Sequence, residues 1–365
     1  MADRIPRVDV VGSLLRPVYL QEARAAWEAG RLNREELRAV EDRAVLEAIQ
    51  LQESLGLPVV TDGEYRRSAY YAGFTDNVDG FAPDILERPF QGPAGDRIVA
   101  HLPAVVRPLR RSRSIAGEEI DFLRQHVQAP SVPKVTLPSA NLMARYWKPG
   151  VSEAAYPSTR EYVRDVSTIL HEEIADLRTN GATYLQLDAP QYTFLADPRL
   201  RAQVVPAGVD PNAILDEMIA IDNATIAGVG GITFGVHFCR GNFRGHWLAS
   251  GGYEPIAERL FHGLQVRRFL LEYDGERAGD FAPLRHVPPE KVVVLGLVST
   301  KVSRVESVEE IASRVDEAAR YLPLDQLAIS PQCGFASDAA GNPLSWDDQR
   351  RKLETLVAAA RQVWG

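Results

Sequence analysis

Eight short runs of β-branched and aliphatic residues recur along the chain, each ending in polar or glycine-containing residues. They are RVDVVGS (7–13), LPVVTDGE (57–64), KVTLPS (134–139), YLQLDAP (184–190), ITFGVHFC (232–239), RFLLEYD (268–274), KVVVLGLVS (291–299) and DQLAISPQCG (325–334). The runs are nearly continuous rather than alternating in polarity, which is the pattern of strands buried on both faces of a parallel sheet. Between them lie helical periodicities with clear punctuation. Asn33 and Glu36 cap an apolar series at Leu37, Val40, Ala44, Ala48, Leu51 and Leu55, and Gly56 stands where a left-handed stop is needed. Ser307 with Glu310 makes a capping box ahead of Ile311, Val315 and Ala318. Strand and helix alternating eight times predict an α/β chain closed into a single (β/α)8 TIM barrel over residues 1–365. An open doubly wound sheet is the alternative, but no G-x-G-x-x-G follows the first run, which weakens a dinucleotide-binding version.

One stretch, roughly 65–133, is too long for a loop and a helix, and predicts an inserted hairpin or lid between strands 2 and 3. Its basic portion carries Arg107, Arg110, Arg111 and Arg113, a cluster that reads first as a solvated surface strip. Forty-one basic against forty-nine acidic residues leave a net charge of −8, so no bulk field draws the protein to nucleic acid or to anionic membranes. No stretch approaches about 18 consecutive apolar residues, so no membrane span is expected. The opening MADRIPRVDVVGS lacks the hydrophobic core of a signal peptide. Two cysteines are too few to staple a chain this long, which favours a cytoplasmic enzyme and makes each thiol a candidate for chemistry.

In such a barrel the side chains at the carboxyl ends of the strands face the mouth, where chemistry takes place. Those ends carry Ser13, Glu64, Ser139, Asp188, His237 with Cys239, Glu272, Ser299 and Cys333. Residues i and i+2 of a strand share a face, so the H-x-C pair can offer both side chains to one ion. His237, Cys239, Glu272 and Cys333 then form a mixed nitrogen, sulfur and oxygen set that borderline-soft Zn2+ accepts. A dication with two thiolates and one carboxylate carries a formal −1, and a substrate thiolate in place of the carboxylate leaves the same −1. Glu272 is therefore the ligand expected to leave. A zinc-bound thiol loses its proton near neutral pH yet stays nucleophilic, as a sulfur alkyl transfer requires. Taken singly, a buried cysteine reads as a small hydrophobe and a strand histidine as a satisfied core residue. A purely structural zinc site would cluster its ligands in C-x2–4-C spacing, unlike this long-range set.

HFCRGN (237–242), LEYDGERAGDFAPL (271–284), VVVLGLVSTKVSRVES (292–307) and LAISPQCGFAS (327–337) resemble the catalytic barrel of cobalamin-independent methionine synthase. The similarity is greatest to the short, single-barrel, methionine synthase II-like relatives. VGSLLRP (11–17), TDGEYRR (61–67), KVTLPS and DQRRKL (348–353) agree with it, so the resemblance covers nearly the whole chain. It implies the same four zinc ligands, with homocysteine as the thiol and methionine as the product. The zinc-bound thiolate would attack a methyl donor, either a folate or a methylcorrinoid protein. Gly12 and Ser13 would hold the substrate carboxylate, and Glu64 and Asp188 its ammonium, a task suited to two acids facing a small pocket. His246 and His286 are the candidates to protonate a leaving nitrogen.

Two departures bear on the donor. The full-length enzymes carry a second, amino-terminal barrel that helps bind polyglutamylated folate, for which this chain has no room. After the fourth strand the chain reads Asp188-Ala189-Pro190, without the acid that usually follows the aspartate. The arginine cluster is the alternative contact for a polyanionic donor. Rival readings are a coenzyme M transferase-like alkyl or epoxide transfer, with Arg66, Arg67 or Arg240 meeting a sulfonate, and a metal-free lyase resembling uroporphyrinogen decarboxylase. A zinc-binding scaffold would leave Glu64 and Asp188 without a task. A homodimer is compatible with an acidic barrel of this size.

Overall fold

Six of the eight apolar runs pair in parallel, in chain order, as Val135–Pro138, Tyr184–Asp188, Thr233–Phe238, Arg268–Glu272, Val292–Val298 and Leu327–Pro331. The computed structural model describes residues 6–92 and 95–365; Met1–Ile5, where the leader reading began, lie outside the described residues. The first two runs close the ring. Asp9 N donates to Ile329 O at 2.9 Å, Leu14 N to Gly63 O at 3.0 Å, and Lys134 N to Val60 O at 2.9 Å. The ladder thus returns to its start, and the chain is a TIM barrel.

The helices form where their punctuation predicts. Asn33 and Glu36 cap Arg34–Ser54 reciprocally, and Ser307 and Glu310 do the same for Val308–Ala318. Ile311 and Val315 of the latter are buried against the barrel, each stabilising it by about 1.5–3 kcal/mol. Inside the ring, side chains two apart share a face and build two kinds of lining. Leu270, Val292, Val294 and Ala328 make a small apolar cluster separate from the main core. Asp9, Lys134, Tyr184, Gln186 and Arg268 make a polar one, all buried.

The long stretch after the second run carries an antiparallel hairpin, Val78–Gln91 with Arg97–Arg111. Alternate residues Ala100, Leu102 and Ala104 turn inward and are buried. The far end of the hairpin docks on the loop after Thr233–Phe238, where Gln91 and Trp247 exchange two backbone hydrogen bonds of 2.8 Å and the rings of Phe90 and Phe243 lie 5.3 Å apart. Two of the four arginines of the basic cluster are ion-paired, Arg110 with Asp79 at 2.6 Å, and Arg111 with Glu173 at 2.8 Å and Asp176 at 2.6 Å, while Arg113 donates to the backbone of Asp76. Among the described residues no helix is long and apolar enough to cross a membrane.

Candidate metal centre and substrate pocket

His237 and Cys239 lie two apart at the end of one strand, and Cys333 follows the strand Leu327–Pro331. One ligand atom from each falls within 4.8 Å of the others, and all three residues are buried. The ring of His237 is oriented from behind, with Nδ1 3.3 Å from Leu270 O. A carbonyl only accepts, so Nδ1 carries the hydrogen and Nε2 presents its lone pair. That Nε2 is buried without a hydrogen-bond partner. One imidazole lone pair beside two sulfurs is a donor set that fits zinc.

The sulfurs are electrostatically unequal. A hydrogen bond from Cys239, and then the proximity of His237, hold the Cys333 thiol well below its ordinary pKa against the effect of burial. Cys239 is pushed well above, by that same bond and by burial, although Gly241 N donates to its sulfur at 3.3 Å.

Glu272 stands apart from this trio. Its Oε1 accepts from Arg277 at 2.7 Å and lies 3.8 Å from Lys301 Nζ, while Oε2 accepts from Arg240 N at 3.1 Å. Burial alone would raise its pKa, but Lys301, Arg277 and Arg240 bring it down to about 2. The fourth expected ligand is thus an anion whose charge is already met.

The same small cavity, about 30 Å3, is lined by Ser13, Glu64, Asp188, His237, Cys239 and Cys333. Glu64 is placed by a strained turn: Gly63 and Glu64 both have positive φ, +70° and +57°, and Asp62 Oδ1 accepts from Glu64 N at 2.9 Å. Thr136 Oγ1 donates to Glu64 Oε1 at 2.8 Å, leaving Oε2 buried and without a partner. Gly12 is required beside it, because a Cβ there would sit 2.3 Å from that Oε1. Asp188 accepts from Gln186 Nε2 at 2.8 Å, and burial pushes its pKa up to about 7.

Other expected residues lie elsewhere. His246 does not line the cavity; its Nε2 is 2.7 Å from Asp96 of the hairpin. His286 lies beside Glu254 at 3.9 Å. Arg66 pairs with Asp42 at 2.8 Å, Arg67 Nε donates to Glu119 at 2.6 Å, and Arg240 stacks on Tyr253 at 4.7 Å, so none of the three faces the thiol cavity. Sequence reasoning missed Tyr70, Asn242 and Ser337, which also line it. The aromatic pair following the TDGE turn was the available signal for Tyr70. A larger, acidic cavity of about 870 Å3, beside the helix Val308–Ala318, contains none of the candidate residues.

The family model described as "Cobalamin-independent synthase, Catalytic domain" matches residues 8–362. The chain is 36% identical to the uncharacterized protein YxjH of Bacillus subtilis over 98% of its own length and 94% of that protein. It is 27% identical to the methionine synthase of Pyrococcus abyssi, over 97% of its own length and 91% of that protein. Its fold matches the crystal structure of the putative vitamin-B12 independent methionine synthase from Listeria monocytogenes with a TM-score of 0.75 and 28% identity, covering 98% of each chain.

Proposed function

The chain belongs to the cobalamin-independent methionine synthase family, and from that premise we propose that this methyltransferase moves a methyl group onto the sulfur of homocysteine, giving methionine, with a zinc ion held by His237, Cys239 and Cys333. The observation that carries this reading is that one nitrogen and two sulfurs meet in a single cavity with two buried acids. Zinc bound there would lower the pKa of a substrate thiol and keep its sulfur nucleophilic.

Ser13 and the backbone at Gly12 would take the substrate carboxylate. Glu64, with Oε2 unpartnered, and Asp188 would take its ammonium by charge-assisted hydrogen bonds, fixing the sulfur for in-line displacement of the methyl group. With the charge of Glu272 already met by Arg277 and Lys301, the incoming sulfur would join His237, Cys239 and Cys333 without having to displace that carboxylate. His246, held by Asp96, is not assigned the leaving-group proton. The two acids disfavour a sulfonate-bearing thiol, because they would repel it and none of Arg66, Arg67 and Arg240 is there to meet it. The methyl donor is a folate or a methylcorrinoid, and the unpaired cysteines agree with a reducing, cytoplasmic setting.

Metal analysis of the purified protein and of Cys239→Ser tests the centre. Stoichiometric zinc that the variant loses is expected; wild type without tightly bound zinc, or unchanged zinc in the variant, would overturn it. Homocysteine should raise the melting temperature and coenzyme M should not; the reverse would move the reading to the rival thiol.

A further inference from the structure

Beside the cysteines lies a second chamber, about 60 Å3, which shares Tyr70, Pro190, Asn242 and Ser337 with the thiol cavity. Phe90 and Leu102 of the hairpin wall one side, and Phe194 and Phe243 also line it. Arg145 is part of this lining. Its guanidinium lies 4.8 Å from the ring of Tyr146, 5.1 Å from Tyr71 and 5.7 Å from Tyr70, and Nη2 donates to Tyr146 OH at 2.5 Å. Nε is buried with no hydrogen-bond partner, and among the described residues no carboxylate lies within 4.0 Å of the group.

Arg16 and Arg240 also have no carboxylate within 4.0 Å among the described residues, but Arg16 donates to backbone carbonyls, Arg240 stacks on Tyr253, and neither lines the chamber. Arg67 has Glu119, and Arg277 has both Glu272 and Asp274. The one acid on the chamber wall, Asp338, has its carboxylate engaged by Arg244 at 3.2 Å and by the backbone of Ala340 and Gly341 at 3.1 Å. Arg88 of the hairpin adds a second half-buried cation, its pKa lowered by burial and then by Arg145. A desolvated guanidinium is costly unless something negative meets it, and its planar fork suits a carboxylate or a phosphate.

Building on the proposed thiol site, we propose that Arg145 anchors an oxyanion of the methyl donor in this chamber. The two chambers have opposite charge. The thiol cavity carries two acids for an ammonium, and the chamber next to it carries an uncompensated cation, so an anionic donor is directed to the side from which it can reach the sulfur. Its volume holds roughly four waters, enough for a carboxylate or phosphate group but not for a whole donor. The oxyanion comes either from the glutamate of a methyltetrahydrofolate or from the phosphodiester of methylcobalamin.

Equilibrium binding of 5-methyltetrahydrofolate and of methylcobalamin to the zinc-loaded full chain separates the two sources, in wild type, Arg145→Gln and Arg145→Lys. For one donor the Gln variant should bind at least about tenfold more weakly, the Lys variant should recover part of that loss, and the wild-type affinity should fall with salt. Zinc content and homocysteine affinity should stay at wild-type values in both variants. Binding of neither donor by wild type, equal donor affinity in all three proteins, or an equal loss of homocysteine affinity overturns the assignment. Failure of wild type to bind homocysteine overturns the proposed function instead.

Discussion

The barrel interior holds two buried aspartates under opposite regimes. Asp9, at the amino-terminal end, has both oxygens engaged. Lys134 donates to Oδ1 at 2.8 Å, while Oδ2 accepts from Tyr184 OH at 2.6 Å and lies 3.3 Å from Arg268. Burial would raise its pKa, but Lys134 and Arg268 outweigh that and hold it below the ordinary value. Asp188, at the mouth, is also buried but has a glutamine for its partner, and its pKa rises to about 7. One cluster has supplied its own counter-cations; the other is an anion site awaiting a cation from outside. A closed buried network specifies the fold, whereas an open one stores binding capacity.

The largest expected effect is at the closed end. Lys134→Met leaves Asp9 Oδ1 without its cation, with Arg268 and Tyr184 still on Oδ2, and should cost about 3 kcal/mol in denaturant unfolding. The triple variant Asp9→Leu, Lys134→Met and Arg268→Met removes all three charges of the cluster and should recover much of that loss, whereas the double variant that keeps Arg268 should not. A single variant costing under about 1 kcal/mol would erase the distinction between the two ends.

Glu64→Gln probes the open end and should behave in the opposite way. Unfolding stability should stay within about 0.5 kcal/mol of wild type or rise, because a buried acid with a raised pKa and an unpartnered Oε2 gives the fold little. Zinc content should be retained, and homocysteine affinity should drop by about tenfold to a hundredfold in a calorimetric titration. A stability loss comparable to that of Lys134→Met, or undiminished homocysteine binding, would place Glu64 with the closed cluster.

How much of this was legible follows the same division. Strands buried on both faces leave continuous apolar runs, so the eight staves could be read directly. The period of two placed His237 and Cys239 on one face. Glu272 was harder: the cations that hold it, Arg277 and Lys301, come from loops whose shape no local pattern records. His246 was out of reach for a related reason, since its partner Asp96 belongs to a hairpin that docks from 150 residues away in sequence. Arg145 is the extreme case. Its signal is the absence of a neighbouring acid, which is a property of three dimensions only.

The smallest effect is also the most diagnostic, because it titrates the contrast itself. Methionine carries the same ammonium as homocysteine but no thiol, so its binding to zinc-stripped protein reports the acids without the ionisation of a substrate thiol. With its pKa raised to about 7, Asp188 is anionic above that pH and progressively protonated below it. Affinity for methionine should therefore be flat above about pH 7 and weaken as pH falls, by at most about tenfold per unit. Glu64, also raised by burial, would add its own titration to the decline. Asp188→Asn should bind more weakly throughout and lose the step near pH 7. For folding the signs are opposed. Asp9 contributes stability above its unfolded pKa of about 3.8, which is lost as pH falls through its lower folded value, whereas Asp188 withdraws stability as pH rises from 3.8 to about 7. A flat methionine profile in wild type would mean that the mouth aspartate is already neutralised by the fold, and that the two ends of the barrel are alike.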